Sequence, residues 1–198
     1  MSGSASWSSS GERRRSDPRI ETPIALVPGV LALLPEYASL EDPVPDLREA
    51  CVTAVAGLGP RVRVIASAMS GARIGASLVL AVGSELVTAG ETGTLVVGNG
   101  SAMRGEQAPG HLDERAEAFD AGLREALVAP YPDVLCRIDV DLADELWADV
   151  DALVELGGLL TREHRAEVLY DAAPFGVQYW VIRWSAQDPG APPPAGPH

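Results

Sequence analysis

The chain has 198 residues and a formal net charge of −13, and all 15 of its basic residues are arginines. Such an acidic surface argues against nucleic acid as a partner, because phosphate binding requires clustered basic side chains. The chain is long enough for one domain with a hydrophobic core.

Both ends differ in composition from the segment between them. Residues 1–19 are rich in serine, arginine and glycine, and residues 185–198 are mostly proline, glycine and alanine. Neither segment can bury enough apolar surface to offset the entropy lost on ordering. We therefore predict a disordered tail at 1–19, one folded domain at 20–184 and a disordered tail at 185–198.

The sequence also predicts a cytoplasmic protein that does not enter a membrane. The apolar stretch 24–35 is short and is interrupted by Pro28 and Gly29, so it suits neither a membrane span nor a signal peptide. Cys51 and Cys136 lack CxxC spacing, which is typical of buried free thiols in a reducing compartment.

The first half of the domain predicts alternating strands and helices. The predicted elements are a strand at 23–29, a helix at 46–59, a strand at 61–67, a loop at 70–77, a helix at 77–90 and a strand at 94–100. Segment 30–38 is either a helical turn or a loop over the sheet. The helix at 46–59 has Asp46 as its predicted N-cap, and its buried face is formed by Leu47, Cys51, Val55 and Leu58.

The second half continues with helices and ends in strands. It predicts a helix that opens at Asp113, a strand at 132–139, short helices at 141–150 and 151–158, and a hairpin at 165–184. The buried stripe of the long helix is Ala116, Phe119, Leu123 and Leu127. Alternating strands and helices with a terminal hairpin predict an α/β fold, a single three-layer domain with a central mixed β-sheet flanked by helices.

The glycine-rich stretch 98–120 follows a predicted strand, where phosphate loops and nucleophile turns occur. A GxGxxG loop would need glycine at Met103, and a GxSxG turn around Ser101 would need glycine at both Asn99 and Met103. The absence of lysine excludes a P-loop. These patterns argue against nucleotide binding and favour a turn or capping role for Ser101.

Polar residues of this stretch and of a later strand end form the candidate cleft. Its members are Asn99, Gly100, Ser101, Arg104, His111, Asp113 and Asp171. Arg104 with Glu106 and Asp113 forms either an anion site or a structural ion-pair network. No metal site is predicted, because the three histidines show neither HxH nor HExxH spacing.

Two segments carry a resemblance to a known family. The stretch G-N-G-S-A-M-R…A-P-G-H-L-D-E-R-A…F-D (98–120) and the later L-Y-D-A-A-P-F-G-V-Q-Y-W-V (169–181) resemble class III extradiol ring-cleavage dioxygenases of the LigB type, in their actinobacterial branch. The opening P-I-A-L-V-P-G-V-L-A-L-L-P-E-Y-A (23–38) is similar to the first strand and loop of that family. The positions that agree in the first motif are Gly98, Ser101, Pro109, Asp113, Ala116, Phe119 and Asp120.

The resemblance implies an Fe(II) ion held by two histidines and a glutamate, with a further histidine as acid or base. In this chain the first ligand position falls on 28–31, the second falls on Ala68 and Met69, and the acid/base position falls on Ala102. No glutamate ligand is identified. Since these side chains cannot bind iron, we expect no cofactor, and Fe(II) only if the resemblance extends to activity.

Two functions follow from these observations. The first is a non-catalytic dioxygenase-like domain that binds a small molecule or a partner, with a homo-oligomer formed through an exposed sheet edge. The alternative is an enzyme of altered chemistry, dioxygenase- or hydrolase-like, that acts on a small polar or aromatic substrate. That enzyme would use Ser101, Arg104 and His111 with Asp113 or Asp171.

Overall fold

The computed structural model describes residues 22–37, 42–90 and 92–186. The elements in chain order are β1 (Ile24–Val27), α1 (Pro45–Ala56), β2 (Arg61–Ala66), α2 (Met69–Ala81), β3 (Glu85–Leu86), β4 (Gly93–Val97), α3 (Arg115–Val128), α4 (Pro132–Leu135), α5 (Val140–Glu145), α6 (Asp151–Leu159), β5 (His164–Ala172) and β6 (Tyr179–Ala186). Segment 30–38 contains two short 3₁₀ turns, Leu31–Leu33 and Pro35–Tyr37.

The six strands form one mixed sheet in the order β3-β2-β4-β1-β6-β5. β1 is parallel to β4, and β2 is parallel to both β4 and β3. β6 is antiparallel to β1 and to β5, so the last two strands form the predicted hairpin. The mixed sheet predicted from the sequence is therefore confirmed.

Helices cover both faces of this sheet. α1 and α2 pack on one face against Ala25, Val27 and other buried residues, whereas α3 and α6 pack on the opposite face against Ile24 and Leu26. All four residues of β1 are buried, as expected for a central strand whose alternate side chains reach two separate cores. This arrangement confirms the three-layer α/β architecture.

The prediction of a loop at 70–77 is wrong, because these residues lie inside α2. Gly71 and Gly75 suggested a turn, yet both face the sheet and are buried. A Cβ atom at Gly75 would lie only 2.6 Å from Val64 Cγ1, so glycine lets the helix approach β2 closely. The helix predicted at 77–90 ends at Ala81, and the short strand β3 follows.

The strand predicted at 132–139 is also wrong, because Pro132 begins the short helix α4. Proline suits the first helical position, where its missing N–H leaves no bond unmade. The same preference of proline explains why the predicted N-cap of α1, Asp46, is wrong. Pro45 takes its first position and Val44 is the N-cap, so Asp46 lies within the first turn.

Two further predictions concern cysteines and chain ends. Cys51 is buried and free as expected, but Cys136 is exposed at the end of α4. β6 continues to Ala186, so Ser185 and Ala186 belong to the sheet. The remainder of both predicted tails lies outside the described residues. Among the residues that are described, no helix combines the length and apolarity needed to cross a membrane.

Candidate functional site

The connections that follow β1 and β4 leave the sheet on opposite faces. β1 leads to α1 on one face, whereas its parallel neighbour β4 leads to α3 on the other. Such a reversal is a topological switch point, and ligands of open α/β sheets usually bind there, beyond the carboxyl ends of the two strands. Here that position lies beyond Val27 and Val97, and we call it the switch-point crevice.

Three polar residues meet at this switch-point crevice: Ser67 after β2, Asn99 after β4, and Asp149 before α6. Asn99 and Asp149 exchange two backbone hydrogen bonds of 3.0 and 3.1 Å, which fix one segment against the other. The hydroxyl of Ser67 donates to Asp149 Oδ1. Only Asn99 belonged to the predicted cleft.

Two acceptor oxygens remain open at the crevice. Among the described residues, neither Asn99 Oδ1 nor Asp149 Oδ2 accepts a hydrogen bond. Both lie near Gly29, where an added Cβ would be 3.6 Å from the first oxygen and 3.7 Å from the second. The absence of a side chain at Gly29 therefore leaves space beside both acceptors.

Burial raises the pKa of the Asp149 carboxyl above its usual range, and the negative charge of Asp151 raises it further. The hydrogen bond from Ser67 acts in the opposite direction, because it favours the ionised form. Asp149 is thus a partly buried carboxyl whose pKa is raised by its surroundings. Perturbed pKa values of this kind are common among binding and catalytic groups.

A second polar cluster lies on the other side of the 98–110 loop, around a buried carboxylate. Asp120 of α3 is 1% exposed and accepts from the Ser101 backbone N–H at 2.8 Å and from the Ser101 hydroxyl at 2.6 Å. Ser101 is itself fully buried. Its hydroxyl therefore anchors the loop to α3 and is not open to a substrate.

Arg104 joins this buried pair to the terminal hairpin. Its Nη1 donates to Asp120 Oδ2 at 3.2 Å and to Gln178 Oε1 at 3.0 Å. The Gln178 amide nitrogen donates in turn to Asp171 Oδ1 at 3.0 Å, and Asp171 Oδ2 accepts from Arg124 Nε. One series of hydrogen bonds therefore connects the loop, α3, strand β5 and the segment that precedes β6.

An open cleft of about 180 Å³ lies over these hydrogen-bonded residues, between α3 and the hairpin. We call it the α3–hairpin cleft. Its lining comprises Arg104, Glu117, Asp120, Ala121, Arg124, Asp171, Gln178 and Trp180. Arg104 and Asp171 were expected in one cleft and do share it. Asp120, Arg124 and Gln178 were not predicted to line the cleft. Asp120 could have been, because it is a polar residue on the buried face of α3.

His111 and Asp113 lie outside both the switch-point crevice and the α3–hairpin cleft. His111 is exposed with a left-handed backbone (φ 61°), and no hydrogen bond of its ring occurs among the described residues. Asp113 pairs with Arg115, which also binds Glu145, and the Arg115 guanidinium lowers the pKa of Asp113 to about 2. The ion-pair partners of Arg104 are Glu117 and Asp120, and not Asp113 as the sequence suggested.

Gly100 has a packing role between the switch-point crevice and the α3–hairpin cleft. A Cβ atom there would lie 2.5 Å from Asp120 Oδ1 and 2.8 Å from Trp180 Cη2. The backbone at Gly100 therefore passes directly over the buried carboxylate, which only glycine permits. This contact explains one of the two glycines that made 98–100 look like a ligand loop.

The residues at the crevice do not fit the Fe(II) site that the resemblance implies. Pro28 and Gly29 follow β1, Ala68 and Met69 follow β2, and Ala102 is buried in the loop. The nearby donors are oxygens of Ser67, Asn99 and a single carboxylate, not two imidazoles and a carboxylate. Within 22–37, 42–90 and 92–186, no group of three or more His, Cys, Asp or Glu side chains is placed to hold a metal ion.

No protein-family model matches the chain, and no curated protein matches it.

Proposed function

We propose that this chain is a non-catalytic, LigB-type dioxygenase-like domain that binds a small molecule in the switch-point crevice. The convergence of Ser67 after β2, Asn99 after β4 and Asp149 before α6 supports this function. A crevice at this position is the usual ligand site of an open α/β sheet. The positions of the two histidine ligands of the resembled enzymes fall on apolar residues.

The open groups of the crevice define the kind of ligand. Asn99 Oδ1 and Asp149 Oδ2 are acceptors, so the complementary ligand carries hydrogen-bond donors such as hydroxyl or amino groups. A carboxylate acceptor forms the stronger bond. Small polyhydroxylated or phenolic molecules satisfy this requirement, and a ligand without donors would leave both oxygens unpaired.

Catechol and its dimethyl ether test this proposal directly by isothermal titration calorimetry of the full chain under anaerobic conditions. The two compounds share a ring, but only catechol has hydroxyl donors. We expect saturable binding of catechol, weakened on the order of tenfold by Asp149→Asn, because one charge-assisted hydrogen bond is lost. Asp133→Asn, an equivalent change on exposed α4, should leave the affinity unchanged. Equal binding of the ether, or an unaltered Asp149→Asn variant, would contradict the proposal.

Metal content tests the non-catalytic part. We expect chain purified anaerobically with added Fe(II) to retain no stoichiometric iron, because the crevice offers one carboxylate and no imidazole. Stoichiometric iron that disappears in a His111→Ala variant would contradict this expectation. It would indicate a relocated metal site and an active enzyme.

One observation favours the alternative of an enzyme with altered chemistry. Asp149 is a partly buried carboxyl with a raised pKa, and such groups serve as general acids or bases. Oxygen uptake with catechol, or hydrolysis of a phenyl ester, that Asp149→Asn abolishes would support that function. Binding without turnover would support the first.

The same proposal includes a cytoplasmic setting and self-association. Cys51 and Cys136 are both free thiols, as is usual in a reducing compartment. The outer edge of β5 has no neighbouring strand in the described sheet, so it is where a second copy would pair. Sedimentation velocity over a range of protein concentrations tests the second point.

A further inference from the structure

We propose that the α3–hairpin cleft is a separate site for a small carboxylic acid, bound as its anion by Arg124 and Arg104. This site lies on the far side of the 98–110 loop from the switch-point crevice and does not depend on it. The inference rests on unused donors, on the way these donors are held, and on the charges around them.

Arg124 supplies the principal donors. Its Nε donates to Asp171, whereas neither of its Nη atoms has an acceptor among the described residues. A guanidinium presents two parallel N–H groups, which match the two oxygens of a carboxylate. Its side chain is about half exposed, so a ligand reaches it without displacing a buried contact.

Arg104 supplies a second, better-fixed guanidinium. Asp120 and Gln178 both accept from Nη1, while Nη2 lies 3.7 Å from Glu117 Oε1, beyond hydrogen-bonding distance. Gln178 connects this arginine to Asp171, which holds Arg124. Both guanidinium groups are therefore positioned before a ligand arrives, and this lowers the entropic cost of binding.

The floor of the cleft is formed in part by Trp180, which is fully buried. Ala121, on the helical wall, leaves the space between the arginines free of a long side chain.

The surrounding charges disfavour a multiply charged anion. Glu117, Asp120 and Asp171 oppose the two arginines, so a doubly charged phosphate meets more repulsion than a singly charged carboxylate. Glu117 stands at the mouth, with 83% of its side chain exposed, where a bound carboxylate would meet it as a like charge. The volume of about 180 Å³ accommodates an acid of a few carbon atoms or one small ring.

The test is calorimetric titration of the full chain with acetate, propionate, benzoate and inorganic phosphate at constant ionic strength. We expect saturable binding of at least one carboxylate, with phosphate weaker. Arg124→Gln should weaken that binding tenfold or more, because the bidentate contact is lost. Glu117→Gln should strengthen it several-fold, since a like charge at the mouth is removed. A purely structural role for Glu117 would not produce this gain.

Two matched variants control the experiment. Arg115→Gln alters an arginine of α3 that is equally exposed and pairs with Asp113 and Glu145 outside the cleft, so it should not change carboxylate affinity. Asp149→Asn should also leave it unchanged, which separates this site from the crevice. Absence of saturable carboxylate binding, equal or tighter binding of phosphate, or undiminished affinity in Arg124→Gln would overturn the inference.

Discussion

At the scale of single residues, the buried Asp120 carboxylate organises the polar part of the molecule. Burial raises its pKa, and hydrogen bonds from Ser101 and Arg104 counteract that effect by favouring the charged form. The carboxylate thus replaces its lost hydration with three protein donors. Removing it would leave a buried hydroxyl and a buried N–H unpaired.

Asp120→Ala should therefore lower the free energy of unfolding by about 3–5 kcal/mol, the usual cost of breaking a buried charged pair. Asp120→Asn should cost less, because its amide oxygen still accepts from the Ser101 N–H, although its NH₂ group faces Arg104. Urea unfolding followed by circular dichroism measures both. Asp141→Ala, on the exposed face of α5, is the control. An Asp120→Ala loss below 1 kcal/mol would mean that the network adds little to stability.

His164 makes stability depend on pH. Its ring is buried at the start of β5 and accepts from the Thr161 N–H at Nδ1, and burial lowers its pKa below 6.5. The unfolded chain therefore takes up a proton at higher pH than the folded chain does. The free energy of unfolding should fall as the pH drops below 6.5 towards the folded-state pKa, by at most about 1.4 kcal/mol per pH unit.

His164→Asn isolates this contribution, because the amide oxygen of asparagine can still accept from Thr161. We expect the variant to lose less stability than the parent between pH 7 and pH 5 in urea titrations at several pH values. The raised pKa values of Asp120 and Asp149 act in the opposite direction in both proteins and cancel in the comparison. Parallel stability curves would show that His164 is not responsible.

At the scale of elements, α2 is positioned by glycines that face the sheet. Gly75→Ala should destabilise the fold by about 1–3 kcal/mol despite the higher helix propensity of alanine, because its Cβ would meet Val64 Cγ1 at 2.6 Å. Gly122→Ala in α3 is the matched control, since no atom lies within 4 Å of its added Cβ. That control should stabilise by about 0.5–1 kcal/mol. Thermal unfolding of both variants decides the point.

These glycines also show why some elements could not be predicted. Periodicity identified α1 and α3 because their apolar residues recur at regular spacing on one face. The hairpin was recognised from its β-branched and aromatic residues on either side of a turn segment. In α2 the close contacts come from missing side chains, which a single sequence cannot distinguish from a turn. Pro132 likewise fits a helix start or a strand boundary equally well, and only packing of α4 against α6 decides between them.

At the scale of the whole molecule, the fold class was predictable, but the site was only partly so. The alternation of strands and helices implied a layered sheet, whereas the strand order, and with it the switch point, depends on long-range pairing. Asn99 and Arg104 were recognisable because they follow a strand within a glycine-rich loop. Asp149 arrives from a distant segment with no local signal, and Gln178 lies within the second resemblance segment but nothing there marks it as a site residue.

The position of β1 has a consequence for how the chain folds. β1 lies in the interior of the sheet, yet Ile24 pairs with Trp184, 160 residues further along the chain. One side of the central strand must therefore wait for the last strand to be synthesised, and such distant pairings slow folding. During translation the waiting edge of β1 is open to strands of other chains. The time for which the growing chain is vulnerable to aggregation is thus set by the arrival of β6.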